Sequence, residues 1–402
     1  MSSHLPPALI LILGALVVPL LRGRLRQGFV LLLPVLGFIN LLGLAQAPAG
    51  TLVTLRFLDL ELLILTVDRL SLVFGYVFHI AVFVTLLYAM ADNRLVELVS
   101  GLVYAGSALG VLFAGDYLTL FCFWEMMTLS STLLIWARGT KRSWNAGLRY
   151  FVIHAVGGVI LLFGILLHAH EHGSLELGPL VLGSPGSYLI FFGFGVNCAW
   201  PMLHSWLSDA YPEATVAGTV FLSAFTTKTA VYALARTFAG TEELIWIGAA
   251  MAAFPIFYAV IENDLRRVLS YSMINQVGFM VVGIGTGTEL SVNGAAAHAF
   301  ADVLFKGLLF MAMGAVLRQT GKINATDLGG LYKSMPYTTV FCCIGAASIS
   351  AFPLFSAFAT KSLIMTAAAQ GGLTVTWLLL LFASAGVFHH AGIKIPFFAF
   401  FS

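Results

Sequence analysis

The chain is poor in charge: Asp, Glu, Lys and Arg make up 9% of its 402 residues, and its formal net charge is +2. So small a charge gives no basis for nucleic-acid binding or for an acidic substrate. Hydrophobic residues account for 59% of the chain, and its mean hydropathy is +0.95. Soluble domains are typically about 45–50% apolar. The composition therefore predicts a membrane protein.

Cysteine is also scarce, and the four cysteines form no CxxC pair. Cys122, Cys198, Cys342 and Cys343 all fall in apolar stretches, so we expect them to act as small hydrophobic residues. The sequence shows no motif for a flavin, an iron–sulfur cluster or a quinone, and we expect no cofactor and no metal site. The first apolar run, about residues 9–21, has no basic leader and is predicted to be a retained helix.

Long apolar runs without charge predict an all-α polytopic membrane fold. A helix needs about 20 apolar residues to span a bilayer, and the sequence offers about thirteen such segments. A turn at Gln370, Gly371 and Gly372 must divide the last long run. The predicted helices are centred near residues 14, 37, 81, 105, 127, 158, 197, 225, 252, 278, 304, 352 and 383.

The basic residues indicate how these helices are oriented. Cytoplasmic loops collect Lys and Arg, and alternating the loops places fourteen basic residues on one side and three on the other. We therefore predict a bacterial inner-membrane protein whose N-terminus lies outside. The inner set is Arg22, Arg24, Arg26, Arg94, Arg138, Lys141, Arg142, Arg149, Arg266, Arg267, Arg318, Lys322, Lys333 and Lys394, and the outer set is Arg56, Arg69 and Arg236.

Two predicted spans contain a proline at mid-depth, Pro201 in the seventh and Pro353 in the twelfth. Proline frees backbone carbonyls, which a membrane tolerates only where protein or water satisfies them. Broken helices five spans apart run in opposite directions, as in inverted repeats with ion sites at the breaks, although chance placement of two prolines is the alternative. The predicted organisation is a three-helix segment, 1–94, followed by repeats at 95–240 and 241–402.

Charged side chains nevertheless occur inside predicted spans: Glu125, Lys228, Lys306 and Lys361. A charge at the centre of a bilayer costs roughly 2.5–3.5 kcal/mol on translocon-based scales, and such residues mark ion or proton pathways. We therefore predict that the chain moves ions, with protons as the first candidate.

The eleventh span carries three titratable residues in one stripe. His298, Asp302 and Lys306 are spaced four apart and share one helix face. Such a stripe suits a proton relay, because neighbouring charges change one another's proton affinity. A structural buried salt bridge is the alternative. Hydroxyl residues line the faces beside Lys228 and Glu125: Thr215, Thr219, Ser223, Thr226 and Thr227 in the eighth span, and Thr128 and Thr132 in the fifth.

Two further groups of histidines are less specific. His168, His170 and His172 alternate in a predicted outer loop, where a solvated loop is the simpler interpretation and a metal cluster the alternative. His389 and His390 either extend the polar path or reach the inner surface.

Five stretches of the chain resemble one known family. They are similar to the antiporter-like membrane subunits shared by Mrp-type cation/proton antiporters, respiratory complex I and membrane-bound hydrogenases, and most of all to the D-type subunit of Mrp antiporters. The likeness covers about residues 95–400. The stretches are DYLTLFCFWEMMTLSSTLLIW (116–136), PMLHSWLSDAYPEATVAG (201–218), DLRRVLSYSMINQVGFM (264–280), HAFADVLFKGLLFMAMGAVL (298–317) and TDLGGLYKSMP (326–336).

The resemblance implies two inverted five-helix repeats, each a half-channel, with broken helices 7 and 12 and a central polar axis linking the halves. By matching motif, Glu125 resembles the fifth-helix glutamate, Lys228 the eighth-helix lysine, and Lys361 the lysine of the second broken helix. His298 and Lys306 resemble the histidine and lysine of the eleventh helix.

Three departures from the family pattern stand out. Members usually carry a lysine nine residues before the motif tryptophan, and nine residues before Trp206 this chain has Asn197. Because that lysine normally pairs with the glutamate matched by Glu125, either Glu125 pairs with Lys228 or this half conducts differently. Asp302 stands where a histidine is common. The chain ends where relatives continue into a fourteenth helix, so a short or truncated member is expected.

The sequence thus predicts a proton-conducting, antiporter-like subunit of a multi-subunit Na+/proton antiporter, not an enzyme on its own. Alternatives are a proton-pumping subunit of a complex I-like or hydrogenase-type redox complex, a coupling subunit for uptake of a solute such as inorganic carbon, and a non-conducting scaffold. Expected partners are other membrane subunits, protons with Na+ or K+, and lipid. The predicted pathway is Glu125, Lys228, His298, Asp302, Lys306 and Lys361, with Asn197, His204, His389 and His390 as further candidates.

Overall fold

A computed structural model describes residues 4–402 of the protein, which are mostly helical, as predicted. The chain divides into two compact units: the first ends at Asn197, and the second begins at Cys198.

The first unit consists of apolar helices with one β-hairpin between the second and the third. A short 3₁₀ turn, Val18–Leu20, follows the first helix. The elements are α1 (Pro7–Val17), α2 (Gly23–Leu44), β1 (Gly50–Phe57), β2 (Leu60–Val67), α3 (Arg69–Ala89), α4 (Leu95–Phe113), α5 (Tyr117–Trp136), α6 (Lys141–His172) and α7 (Pro185–Asn197).

The hairpin is an addition to the predicted all-helical fold. Its antiparallel register pairs Gly50 with Val67 and Phe57 with Leu60, and Leu58 in the turn has a φ of 54°. The strands are rich in Thr, Val, Leu and Ile, which suit a pleated, half-buried surface. From the sequence, this segment is expected to be a loop between two predicted spans, with Arg56 on the outer side.

Side-chain caps fix where several of these helices begin. Asp68 accepts a hydrogen bond from the Ser71 amide, and Asp116 accepts one from the Thr119 amide. These bonds satisfy amides that would otherwise lack a partner in the first helical turn. α6 ends where Gly173 takes a left-handed conformation, with a φ of 67°.

One face of α6 is suited to lipid. Val152, Val156, Val159, Phe163 and Leu166 are exposed, and their spacing of three and four residues places them on one side of the helix. A continuous apolar face of this kind is expected where a helix borders the bilayer.

The second unit is built around α13, whose apolar segment is 94% buried. α11, α14 and α16 pack against it. The elements are α8 (Ser205–Ala210), α9 (Val216–Ala224), α10 (Thr226–Thr237), α11 (Glu242–Ala253), α12 (Pro255–Ile261), α13 (Leu265–Thr286), α14 (Glu289–Thr320), α15 (Pro336–Ile349), α16 (Ser356–Gln370), α17 (Thr374–Val387) and α18 (Lys394–Pro396), with π-helical turns at Phe388–Ile393 and Phe397–Phe401.

Within residues 4–402, nine helices are long and apolar enough to cross a membrane. Each contains one predicted span centre. The other four centres, near residues 14, 197, 225 and 352, fall on shorter helices or on the breaks between them. The total of thirteen spans remains a prediction. The turn predicted at Gln370–Gly372 is confirmed, because α16 ends at Gln370 and Gly372 has a φ of 70°.

Loops assigned to the outer side contact one another in the first unit. The amide of Leu63, in the hairpin, donates to Asp116 Oδ2 at 2.6 Å, and the Tyr117 amide donates to the carbonyl of Leu175 at 2.8 Å. The loops that follow α2, α4 and α6 therefore meet at one end of this unit.

Loops assigned to the inner side also contact one another within each unit. In the first unit, Arg94 Nη1 donates to the Ala137 carbonyl at 3.3 Å. In the second unit, the Ala325 amide donates to the Asn263 carbonyl at 2.8 Å. In each case the two loops are separated by two predicted spans, as alternating membrane crossings require.

Candidate functional site

The centre of the second unit holds a fully buried ion pair between Lys228 on α10 and Asp302 on α14. Lys228 Nζ lies 2.5 Å from Asp302 Oδ2, and both side chains are 0% exposed. Removing two charges from water costs several kcal/mol for each ion. Only close contact between the charges and further hydrogen bonds offset this desolvation penalty. Lys228 Nζ makes such a bond, donating to the Ser223 carbonyl at 3.0 Å.

A helix break that was not predicted from the sequence supplies this carbonyl. α9 ends at Ala224 and α10 begins at Thr226. The Ser223 hydroxyl donates to the Val220 carbonyl at 2.8 Å, the kind of side-chain bond that competes with regular helix. The break leaves the Ser223 carbonyl free to accept from the lysine.

The predicted stripe on α14 exists and faces the interior, since His298, Asp302 and Lys306 are all 0% exposed. His298 Nε2 lies 3.2 Å from Gln276 Oε1, and its Nδ1 lies 2.8 Å from Thr360 Oγ1. An amide oxygen only accepts hydrogen bonds, so Nε2 donates and Nδ1 is the nitrogen at which the ring can gain a proton.

Lys361 repeats the arrangement of Lys228 at a second helix break. Its Nζ donates to the carbonyl of Ile349 at 3.1 Å, and Ile349 is the last residue of α15. The ammonium also lies 4.9 Å from the centroid of the Phe279 ring, within the range of cation–π attraction. The preceding residue, Thr360, contacts His298. Lys361 is therefore connected to the α14 stripe through its neighbour.

One carboxylate serves three ammonium groups in this cluster. Besides its contact with Lys228, Asp302 interacts electrostatically with both Lys306 and Lys361. Lys306 Nζ also donates to the Leu269 carbonyl at 3.2 Å. Asp302 Oδ1 has no hydrogen-bond partner within residues 4–402. The carboxylate thus has an oxygen available when its contacts change.

The two C-terminal histidines lie on opposite faces of the π-helical segment. His389 is exposed, whereas His390 is buried. His390 interacts electrostatically with Lys306 and Lys361. Of the two residues, only His390 adjoins the buried cluster.

The predicted prolines lie in turns between helices. α7 ends at Asn197 and α8 begins at Ser205, on either side of Pro201, and α15 and α16 flank Pro353 in the same way. Positive φ costs a residue with a Cβ roughly 1–2 kcal/mol, so these turns hold backbone strain. The strained residues lie three apart in each turn: Ala199 (61°) and Met202 (70°), and Ala351 (56°) and Leu354 (74°).

In the first unit, Glu125 is only partly buried on α5. A Cβ on Gly158 of α6 would overlap with Glu125 Oε1, so the carboxylate occupies the space that this glycine leaves. Glu125 Oε1 has no hydrogen-bond partner in the described part of the chain. Glu125 and Lys228 belong to different units, and their pairing remains a prediction.

Asn197, at the end of α7, is 1% exposed. Its Oδ1 lies 2.9 Å from Nδ1 of His154 on α6. The other candidate of the broken-helix motif, His204, lies in the second unit and packs on Phe254, with ring centroids 4.6 Å apart. His204 Nδ1 makes no hydrogen bond to any residue from 4 to 402.

The assignment of three histidines to an outer loop was wrong. His168, His170 and His172 belong to the last turns of α6 and not to a solvated loop, since the helix continues to Gly173. Their region holds no group of His, Cys, Asp or Glu side chains arranged for a metal, and residues 4–402 hold none elsewhere.

Several basic residues assigned to inner loops lie within helices, among them Lys394 and Arg266. Lys394 belongs to α18, and its Nζ donates to the carbonyls of Val260 at 2.8 Å and Ala259 at 3.1 Å, near the end of α12. Arg266 is 1% exposed on α13, and its guanidinium donates to the Pro212 carbonyl at 3.0 Å. Both residues use their charge to satisfy carbonyls at helix ends.

Sequence reasoning missed three polar residues of the two sites: Gln276, Thr360 and His154. Each is buried among apolar neighbours, which is the same signal that identified Lys228. Charged residues are the strongest markers of a functional site inside a membrane. Those residues were selected from the sequence, whereas this amide, hydroxyl and histidine were not.

Comparisons with known proteins agree with this architecture. The family model described as NADH:quinone oxidoreductase/Mrp antiporter, TM, matches residues 114–388. Hydrogenase-4 component B of Escherichia coli is 31% identical over 356 residues, which cover 79% of this chain and 53% of that protein. The D-type subunit of the Na(+)/H(+) antiporter of Alkalihalophilus pseudofirmus is 31% identical over 280 residues, which cover 64% of this chain and 56% of that protein. The chain therefore spans about half the length of these curated relatives.

A chain in the structure of the Mrp complex from Dietzia sp. is similar in three dimensions. The TM-score is 0.89 at 21% sequence identity, and the match covers 100% of this chain and 81% of that one. At this identity the likeness shows a shared fold alone.

Proposed function

Because the chain belongs to the NADH:quinone oxidoreductase/Mrp antiporter transmembrane family, as its motifs predicted, we propose that it is a proton-conducting subunit of a multi-subunit Na+/proton antiporter. One observation carries the proposal: the buried carboxylate of Asp302 is shared by Lys228, Lys306 and Lys361.

The proposed mechanism follows from the imbalance of charge. Asp302 can neutralise one ammonium group at a time, and an unpaired buried ammonium costs several kcal/mol. When Asp302 turns from Lys228 toward Lys306 or Lys361, Lys228 keeps only the Ser223 carbonyl and releases its proton to water. When the carboxylate returns, Lys228 takes up another proton. Repeating this exchange moves protons through the unit.

His298 is placed to connect the lysines in this scheme. Its Nδ1 can receive a proton, and the Thr360 hydroxyl at 2.8 Å lies next to Lys361 in sequence. Histidine suits the role because its ordinary pKa lies near physiological pH. His390 extends the path toward the C-terminal helix, and we assign no role to the exposed His389.

We further propose thirteen spans in two inverted repeats, in a bacterial inner membrane, with the N-terminus outside. The contacts between same-side loops support the alternation of the spans, and the asymmetry of the basic residues supports the orientation. An impermeant maleimide that reacted from the outside with a cysteine placed at Arg142 would contradict it.

The test is cation-driven proton exchange in inverted vesicles that contain the intact complex. Lys228→Ala and Lys361→Ala are each expected to reduce exchange by at least about tenfold, because each removes a proton-binding group. The rate is measured with a fluorescent pH indicator after Na+ or K+ is added.

The matched control is Lys322→Ala, which removes an exposed lysine just after α14. It is expected to exchange protons at the wild-type rate. Wild-type rates from the two buried-lysine variants, at equal amounts of assembled complex, would contradict the proposal.

A proton-pumping subunit of a redox complex is the second candidate. The similarity to hydrogenase-4 component B, which covers 79% of this chain, favours it. Purifying the intact complex and identifying its members separates the two: small antiporter-type membrane subunits support the first function, and hydrogenase or dehydrogenase subunits support the second.

A further inference from the structure

The first unit lacks the ammonium groups that the second unit uses. Its single lysine, Lys141, is the first residue of α6, far along that helix from the Glu125 carboxylate at Gly158. A proton leaving Glu125 therefore needs a different acceptor in this unit.

His154 is a fully buried histidine in the place where such an acceptor is needed. It is 0% exposed on α6. Its Nδ1 lies 2.9 Å from Asn197 Oδ1 on α7. Because an amide oxygen only accepts hydrogen bonds, Nδ1 donates and Nε2 is the basic nitrogen of the ring. Asn197 thus fixes both the orientation of the ring and the position of its basic atom.

The neighbours of His154 on α6 connect it with α5. Gly158 follows His154 by four residues, about one helical turn or roughly 5 Å along the axis. The Glu125 carboxylate lies against Gly158. Tyr150 precedes by four residues, with ring centroids 4.2 Å apart. Tyr150 Oη lies 2.9 Å from Ser131 Oγ on α5. These groups form a polar strip inside the first unit.

The helices beside α6 contribute one acid near this histidine. α5 and α7 are the helices that pack most closely on α6. Their titratable side chains are Tyr117, Cys122 and Glu125 on α5 and Tyr188 on α7. Glu125 is the one acid among them.

We propose that His154 is the proton-binding partner of Glu125 in the first unit, held in place by Asn197. This inference rests on the proposed proton conduction. The transfer breaks the O–H bond of the Glu125 carboxyl and forms an N–H bond at His154 Nε2 through an intervening water. The protonated His154 ring then releases a proton from Nε2 to water and is neutral again.

The variant that tests the proposal is His154→Gln in the intact complex, assayed by proton exchange in vesicles. Glutamine retains an N–H that can donate to Asn197 but cannot hold an extra proton. We expect at least a tenfold loss of exchange. His79→Gln is the matched control, because His79 is also a buried histidine of this unit, on α3, and bonds to the carbonyl of Gly75. It should keep the wild-type rate.

A second variant keeps the test informative if His154→Gln assembles poorly. In His154→Gln/Asn197→Lys an amine replaces the imidazole, and exchange should recover to within about threefold of wild type with a changed pH profile. A purely structural histidine would not be rescued in this way.

The outcomes separate this inference from the proposed function. If wild type exchanges protons, Lys228→Ala abolishes exchange and His154→Gln matches wild type, His154 is structural and the inference fails alone. If Lys228→Ala also matches wild type, the proposed function fails first.

Discussion

At the scale of single residues, the second unit places lysine ammonium groups on backbone carbonyls freed by helix breaks. Lys228 donates to Ser223 and Lys361 donates to Ile349, each at the end of a helix or next to it. A carbonyl helps to solvate an ammonium group but cannot neutralise it. The charge therefore depends on the shared carboxylate, which explains how one movement of Asp302 can alter the protonation of several lysines.

Asp302→Asn tests this dependence. The substitution leaves Lys228 without its carboxylate, and removing one partner of a buried ion pair costs about 3–5 kcal/mol. We expect a lower free energy of unfolding and loss of proton exchange, measured by thermal unfolding of the purified complex and by the vesicle assay.

The double variant Asp302→Asn/Lys228→Gln is the control for stability. Part of the stability should return, because the Lys228 ammonium that Asp302→Asn leaves unpaired is no longer present, whereas Lys306 and Lys361 still lack the carboxylate. Proton exchange should stay absent. Full exchange in Asp302→Asn would show that the carboxylate is not required.

At the scale of elements, the two proline turns have the same local design. Ala199, Trp200, Pro201 and Met202 correspond in type to Ala351, Phe352, Pro353 and Leu354, and the first and last residue of each set has a positive φ. Two strained non-glycine residues in each turn indicate that the surrounding structure holds these breaks open. The second of these breaks provides the terminal carbonyl of Ile349, to which Lys361 donates.

Ala351→Gly measures the strain in the second turn. Glycine adopts the φ of 56° found at this position without a Cβ penalty, so the free energy of unfolding should rise by about 1 kcal/mol.

Ala347→Gly is the matched control, since Ala347 is equally half-buried but lies inside α15. There the same substitution should lower the free energy of unfolding by about 1 kcal/mol. Equal effects of the two substitutions in thermal unfolding would show that the turn holds no strain.

At the scale of the whole molecule, composition and periodicity predicted the helical membrane fold, and the α14 stripe was predicted from spacing alone. The break at Phe225 was not predicted, because no proline marks it and it depends on hydroxyl bonds to the backbone and on the lysine that takes the freed carbonyl. The partners of Asn197 and His298 depend on packing between helices distant in sequence, which a single sequence does not specify. The hairpin was missed because its residues, among them Arg56, were assigned to a loop between the second and third spans.

Proton conduction by this protein requires that the buried charges of the second unit form a hydrated path. The most direct measurement is a cryo-EM map of the intact complex that resolves ordered water. We expect waters that bridge Lys361 and Lys306 to Asp302 and His298 within hydrogen-bonding distance. Apolar side chains packed without water between these groups would contradict it.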